Sequence, residues 1–578
     1  MKAKFTFRTG KLNKNSIKDI IKGLKNMKKK NEKSLKVRFL GGVGEIGKNM
    51  TALEYGNDII VIDAGNSFPT EDMPGVDLLI PETGWLEENK ERVRGYIITH
   101  GHEDHIGGLP YVVKNVNAPI FGTRLTLTLI ENKLKENGLT SVSLNCVRPG
   151  ATVKLGCFTI EFINVNHSIA GAVALSITTP VGVVFHSGDF KIDFTPVAGE
   201  CIDLPRIAEI GKRGVTLLLC ESTNVEREGF TMSETVVGET LDKVFASNMD
   251  RRLIIATFAS NVHRIKQILD LAKKYRRKVV LSGRSMINVV EAASKIGEID
   301  VPENTIIDVD KMKSFKPEQI VIISTGTQGE PMSALTRMAS GEFNKVEIGS
   351  GDTVIMSSSV IPGNEKMIYG VINNLYKKGA EVLYETLEPI HVSGHACREE
   401  IKILHSLIKP KFFIPVHGEY RHLKKHADLA KELGTPASNI IIPEVGNTVE
   451  VTQKAIKSGD NFKAGTRLVD GIEIDGSDSV VLRDRIHISE DGIMVIVVCI
   501  DELSGELVST EIINRGVLMN DSTLRELKEM LKKTLSGLDM KDDPDGQIVK
   551  TMVRKTIKNY IFRRTKKNPM ILPIIMKV

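Results

Sequence analysis

Within the stretch Thr99–Gly108 stand four side chains able to bind a transition metal: His100, His102, Asp104 and His105. They follow the apolar run Tyr96-Ile97-Ile98, which reads as a buried strand. A spacing of two puts His100 and His102 on the same side of an extended segment. The turn that follows brings Asp104 and His105 round beside them. Two imidazoles on one side, with a carboxylate and an imidazole on the other, suit two adjacent metal ions better than one. A His-rich surface turn is the plainer alternative, and the strand leading into the cluster argues against it.

A dinuclear site needs further donors, expected at the ends of later strands. Glu161–Ser168 alternates as a strand and ends at His167; Gly182–Phe185 is apolar and runs into His186-Ser187-Gly188-Asp189. Asp189 is suited to bridge two cations, because a carboxylate offers two oxygens and the charge needed between them. Ile59–Ile62 ends in Asp63, better placed to orient a ligand imidazole through a hydrogen bond. Singly these are ordinary strand-end residues; in this order behind the His cluster they form a pattern.

That series resembles motifs 1 to 4 of the metallo-β-lactamase fold. Downstream, Cys220–Asn224, Val392–His395 and Pro415–Tyr420 resemble motifs A, B and C of the β-CASP nucleases. The wording of Gly41–Asn49 and Thr325–Pro331 is similar to the bacterial ribonuclease J family, over roughly residues 35 to 578. The fold implied is α/β: a metallo-β-lactamase αββα sandwich interrupted by an inserted β-CASP α/β domain, plus a small C-terminal α/β domain. The resemblance also implies two Zn²⁺ per subunit, with Mn²⁺ suited to the same donors. One is held by His100, His102, His167 and bridging Asp189, the other by Asp104, His105, Asp189 and His417. His395 is expected to steer the scissile phosphate or protonate the leaving oxygen, with Glu221 fixing its tautomer. Family members often carry Asp where Glu221 stands. A His at position 417 goes with RNA-processing members.

The resemblance further implies a pocket for a 5′ monophosphate, its parts here being Phe258, Ala259, Ser260 and Asn261, with His391, Val392, Ser393, Gly394 and His395. Ser260 and Asn261 fall where a helix begins, and free N–H groups there favour phosphate. Phe258 is either a stacking platform for a base or a plain core aromatic.

At 578 residues the chain exceeds a single core. The expected domains are a basic arm (1–34), the metal domain (35–232), the β-CASP domain (233–387), completion of the metal domain (388–451), a linker (452–467) and a C-terminal domain (468–578). The boundaries follow changes of pattern. Short strands and Gly-rich turns give way near residue 234 to alternating strand and helix, as in a parallel sheet. Polar residues crowd Thr452–Gly465. The net charge of +6 is unevenly spread: residues 1–36 hold 13 Lys or Arg against Asp19 and Glu32, leaving the remainder at −5. The arm is either a basic amphipathic helix or a disordered Lys-rich tail; both could hold phosphates without reading sequence. No run is long and apolar enough to span a membrane, and the N-terminus lacks a secretory pattern. Six scattered cysteines fit reduced thiols in a cytoplasmic protein and no thiolate zinc site, with Cys397 read as a small buried thiol.

The expected function is a zinc-dependent ribonuclease with 5′-to-3′ exonuclease and endonuclease activity on single-stranded RNA. It would prefer 5′-monophosphate ends and act in rRNA maturation and mRNA decay. The family also implies a homodimer or homotetramer, with RNA-degradation or ribosome-associated partners. The rivals are a small-molecule metallo-hydrolase of the same fold and a non-catalytic RNA-binding scaffold. Motifs A to C speak against the first, and the full set of expected ligands speaks against the second.

Overall fold

Strands that are apolar on both faces must be buried between layers, and the central strands of this chain are of that kind. A computed structural model describes residues 34–70, 72–328, 330, 332–360, 364–384, 389–471, 473–476, 480–536 and 546–578. The basic arm ahead of Ser34 lies outside the described residues. The chain forms two units, one running up to Ser67 and over Pro81–Gly465, the other combining Phe68–Ile80 with Thr466–Val578.

The first unit holds two stacked sheets. One has the order Ile456–Ser458, Thr448–Val451, Leu35–Gly41, Met50–Tyr55, Asp58–Ile62, Val93–Ile97, Ile120–Gly122, Leu144–Cys146. The other runs Phe412–Val416, Val215–Glu221, Gly182–His186, Val173–Thr179, Phe158–Asn164, Thr152–Leu155. Val37, Phe39, Leu53 and Ile60 of the first meet Phe158, Phe162, Leu175 and Phe412 of the second in one core. Helices Leu109–Asn115 and Arg124–Glu136 cover the outer face of the first sheet, through Leu109, Val112, Leu125 and Ile130. Leu204–Arg213, Arg398–Ile408 and Tyr420–Glu432 cover the second, through Ile207, Ile401, Leu404 and Leu429. This is the expected αββα sandwich.

Between its last two portions lies a five-stranded parallel sheet, ordered Lys278–Ser282, Ile320–Ser324, Arg252–Ala256, Asp352–Met356, Glu381–Tyr384. Leu253, Ile255 and Val321 pack towards Val237, Ile265 and Val290 of the helices on one side. Ile254, Ile322 and Val354 pack towards Leu335, Met338 and Ile372 on the other. The polar stretch read as a linker departs from expectation: Ile456–Ser458 is a strand paired with Thr448–Val451. Sheet pairing uses main-chain groups, so polar side chains do not prevent it.

In the second unit, Ile493–Ile500 pairs antiparallel with Leu507–Arg515 and parallel with Met570–Lys577. Alternation sends Met494, Ile496 and Val498 onto Leu527 and Leu531 of helix Asp521–Leu535 and Val553 and Ile557 of helix Gln547–Thr565. Residues 68–80 join this unit through a bond from Asp77 N to Val469 O (2.8 Å) and a small core of Val76, Leu79 and Leu468. Leu531→Ala is expected to destabilise this unit by roughly 2–5 kcal/mol, read from urea unfolding. The protein's metal content should be unchanged, since His100, His102, Asp104, His105, His167, Asp189 and His417 all lie in the first unit.

Candidate metal centre

Three parallel strands of the second sheet end side by side, with His186 opposite Leu219 and Glu221 opposite Val416. Their carboxyl ends deliver Asp189, Glu221 and His417 to one place. From the first sheet, the parallel strands Asp58–Ile62 and Val93–Ile97 deliver Asp63 and the His cluster. His102 caps the short helix Glu103–Ile106, which turns Asp104 and His105 back towards the strand end. Gly65 permits that return: a Cβ there would stand 1.6 Å from the Asp104 carbonyl oxygen.

The donors form two groups around one carboxylate. His102 Nδ1 lies 3.1 Å from both His100 Nε2 and His167 Nε2. Asp189 Oδ2 lies 3.1 Å from His417 Nε2, 3.2 Å from His105 Nε2 and 3.6 Å from His100 Nε2. Asp104 Oδ2 approaches His417 Nε2 at 3.5 Å and His105 Nε2 at 3.6 Å. All seven sequence-expected donors are therefore brought together.

Their environment suits cations. Burial, together with the neighbouring imidazoles, holds His100 and His167 well below the usual histidine range, and burial brings His102 down to about 4. Neutral rings keep a nitrogen lone pair available to a cation. Burial also opposes charge on His105, but Asp189, Asp104 and Asp63 outweigh it and raise its pKa well above normal. For Asp189, burial is outweighed by His417 and His105, which hold the carboxyl well below its usual range. His100, His102 and His167, kept unprotonated by burial, and the carboxylate oxygens of Asp104 and Asp189 are donors that suit divalent metal ions of the borderline-soft kind.

Outer contacts fix the rings. Asp63 Oδ2 accepts from His105 Nδ1 at 2.7 Å, and its two oxygens accept from Thr99 N and Thr99 Oγ1 at 2.8 Å. His167 Nδ1 donates to Gly394 O at 2.7 Å. A Cβ on Gly394 would fall 2.7 Å from His167 Cε1, so the contact requires glycine. Asp63 (φ 58°) and His417 (φ 52°) hold left-handed backbone, costing about 1–3 kcal/mol each. The bonds Asp63 N to Ile97 O (3.0 Å) and His417 N to Gly42 O (2.8 Å) hold them there. His395 Nδ1 sits 2.7 Å from Glu221 Oε2 and 3.8 Å from Asp189 Oδ2. The other oxygen of Glu221 accepts from Phe190 N at 2.8 Å. Burial disfavours charge on His395, yet the Glu221 carboxylate beside it lifts its pKa to about 9.

The residues expected to form a phosphate pocket meet indirectly. Asn261 caps helix Val262–Lys274, its side chain accepting from Arg264 N, so its carbonyl oxygen is already used. Phe258, Ala259 and Ser260 are half-buried. Val392 is buried in a hydrophobic core. Asn224 Nδ2 donates to Ser393 Oγ (2.8 Å) and His395 O (3.1 Å). A cleft lined by His167, Ser168, Lys191, Asn261 and His263 links the metal centre to the helix start.

Sequence reasoning missed several residues. Arg264 is fully buried and bonds Glu234 Oε1 (2.6 Å), Ser357 O (2.8 Å) and His391 Nδ1 (3.0 Å), joining both pocket segments. A cation in the first turn of a helix opposes the helix dipole, a signal that could have flagged it. Asn49 Nδ2 lies 3.1 Å from His105 Nε2. His186, pushed by burial to about 4, accepts from Gly188 N (3.0 Å) and shapes the turn before Asp189.

Sandwich, insert and donor cluster together define a metal-dependent hydrolase of the metallo-β-lactamase superfamily with a β-CASP domain. Family models match at residues 43–201 (metallo-beta-lactamase superfamily), 250–375 (ribonuclease J, beta-CASP domain), 379–443 (Zn-dependent metallo-hydrolase RNA specificity domain) and 480–578 (ribonuclease J C-terminal domain). The chain is 43% identical to ribonuclease J of Synechocystis sp. over 87% of its length and 79% of the relative's. It is 38% identical to ribonuclease J2 of Bacillus subtilis, over 96% and 100%, and to ribonuclease J of Thermus thermophilus, over 93% and 94%. A solved protein of unknown function from Enterococcus faecalis shares the fold at TM-score 0.53 and 17% identity, covering 72% of this chain and all of that one. The chain belongs to the ribonuclease J family.

Asp63→Asn keeps the shape but replaces one accepting oxygen with an amide donor. Metal affinity is expected to fall roughly 10–100-fold, measured by competition with a chelator; unchanged affinity would show that Asp63 does not orient His105.

Proposed function

We propose that this chain is a two-zinc ribonuclease that cleaves single-stranded RNA endonucleolytically and degrades it 5′ to 3′ from monophosphorylated ends. One ion is assigned to His100, His102, His167 and Asp189, the other to Asp104, His105, Asp189 and His417. When bound, the cations supply Lewis acidity, activating a water and neutralising charge on the phosphoryl oxygens. The observation that carries the reading is the His395–Glu221 pair beside Asp189. Glu221 keeps the His395 Nδ1 proton facing it, which leaves Nε2 to the substrate. A pKa raised to about 9 keeps that ring protonated at neutral pH, fit to hold a phosphate oxygen or protonate a leaving 3′ oxygen.

For the 5′ end, Asn261 at the helix start lines the cleft, and Phe258 and Ser260 just before it are half-buried. Arg264 braces them against His391. The reading extends to rRNA maturation and mRNA decay in the cytoplasm. Self-association is supported by Ile513, Leu572 and Ile574, left exposed on the second unit's sheet. Among the described residues no helix is long and apolar enough to cross a membrane.

The test is a 5′-monophosphorylated, end-labelled RNA incubated with and without EDTA. Mononucleotide release that EDTA abolishes is expected; intact RNA with turnover of a lactam or thioester would overturn the reading. Asp104→Ala should abolish cleavage while RNA binding persists, whereas retained cleavage refutes the metal assignment. For the acid, the sign is fixed by the raised pKa of His395: its proton is present below about 9 and lost above. Glu221→Gln should therefore move the alkaline limb of kcat/KM to lower pH and leave the acid limb in place. An alkaline limb that stays put removes His395 from the mechanism.

A further inference from the structure

Next to Glu221, between the six-stranded sheet and the helices that cover it, lies a second group of side chains able to ligate a metal. Cys220 is the last residue but one of strand Val215–Glu221, His405 lies on helix Arg398–Ile408, and His426 lies on helix Tyr420–Glu432. One donor atom from each falls within 4.8 Å of the others, and all three residues are buried. His405 Nε2 stands 3.0 Å from His426 Nε2, the same approach of ring nitrogens found between His102 and its neighbours at 3.1 Å. Ser222 Oγ bonds His426 Nδ1 at 2.9 Å, fixing that ring with Nε2 aimed into the cluster. This is how ligand imidazoles are usually held from behind. His405 Nδ1, the ring nitrogen turned away from His426, is buried with no hydrogen-bond partner.

We propose that Cys220, His405 and His426 form a third, structural Zn²⁺ site, separate from the catalytic pair. Thiolate and neutral imidazole are donor types zinc accepts, and these three residues would fill three of its four positions, a water taking the fourth. Burial keeps both rings unprotonated, His405 at about 4 and His426 well below its usual range, so no proton need leave them. Burial, with Glu221 nearby, keeps the Cys220 thiol protonated in the empty site. Binding therefore releases one proton, from sulfur to solvent, as the metal–sulfur bond forms. The thiolate cancels one of the ion's two charges, and the two imidazoles stay neutral. A filled site would tie the strand that carries Glu221 to the two helices covering it.

The catalytic donors include no sulfur, so the two kinds of site can be told apart in the full-length protein. After chelation, reloading with Co²⁺ is expected to give a near-ultraviolet sulfur-to-cobalt charge-transfer band. The band should vanish in Cys220→Ser and persist in Asp104→Ala. Reloading with Zn²⁺ should leave the wild type with one ion per chain more than Cys220→Ser or His405→Leu, by mass-spectrometric metal analysis. That difference does not depend on how many ions the catalytic donors hold. A wild type with no such band, or zinc contents equal in wild type and Cys220→Ser, overturns the proposal; the first result needs no variant to fold.

Discussion

One buried oxygen, Asp189 Oδ2, lies within 4 Å of His100, His105, His167, His395 and His417. A lone carboxylate moved out of water into a protein interior is strongly disfavoured unless it is paired and hydrogen-bonded. Here the compensation comes from both sheets at once, since Asp189 arrives from the six-stranded sheet and His100 and His105 from the eight-stranded one. The meeting of the two sheets along this edge is thus an electrostatic matter as well as a hydrophobic one. The left-handed backbone at Asp63 and His417 and the glycines at 65 and 394 serve the same end. Each lets the chain come close enough for the charge to be met.

Much of this was legible because metal binding restricts donor types to His and carboxylate, and strand periodicity says where strands end. Asp189 and His167 could be located on those grounds alone. The assignment of His417 needed the family's wording, since nothing in Pro415–Tyr420 taken alone signals a ligand. What stayed hidden was mostly main chain: Gly394 O behind His167 and Gly42 O behind His417 look like any other carbonyl in a sequence. Arg264 was hidden for a different reason, because its partners Glu234 and His391 lie 30 and 127 residues away and only packing joins them. The strand at Ile456–Ser458 rests on backbone pairing, which leaves no hydrophobic period to read.

The His405–His426 contact shows how similar local chemistry arises where the sequence suggested nothing. His405 and His426 look like ordinary residues of two amphipathic helices, and Cys220 like a small core residue. Their convergence depends on both helices packing on the same face of the sheet, a tertiary fact that periodicity does not encode. A cysteine count read as free thiols was sound for pairing, since all six are unpaired in the structure. It gave no sight of which thiol faces two imidazoles.

The separation of 228 residues between Asp189 and His417 has a consequence in time. The chain is made from its N-terminus, so the whole five-stranded parallel sheet leaves the ribosome before the last donor of the second group does. Until then the donor cluster around Asp189 lacks His417. An enzyme whose substrate is RNA is assembled on a machine made largely of RNA, with its own message threaded through it. By splitting the metal fold around an insert, the gene order postpones a complete centre until most of the protein is made. That delay is written into the topology and needs no inhibitor.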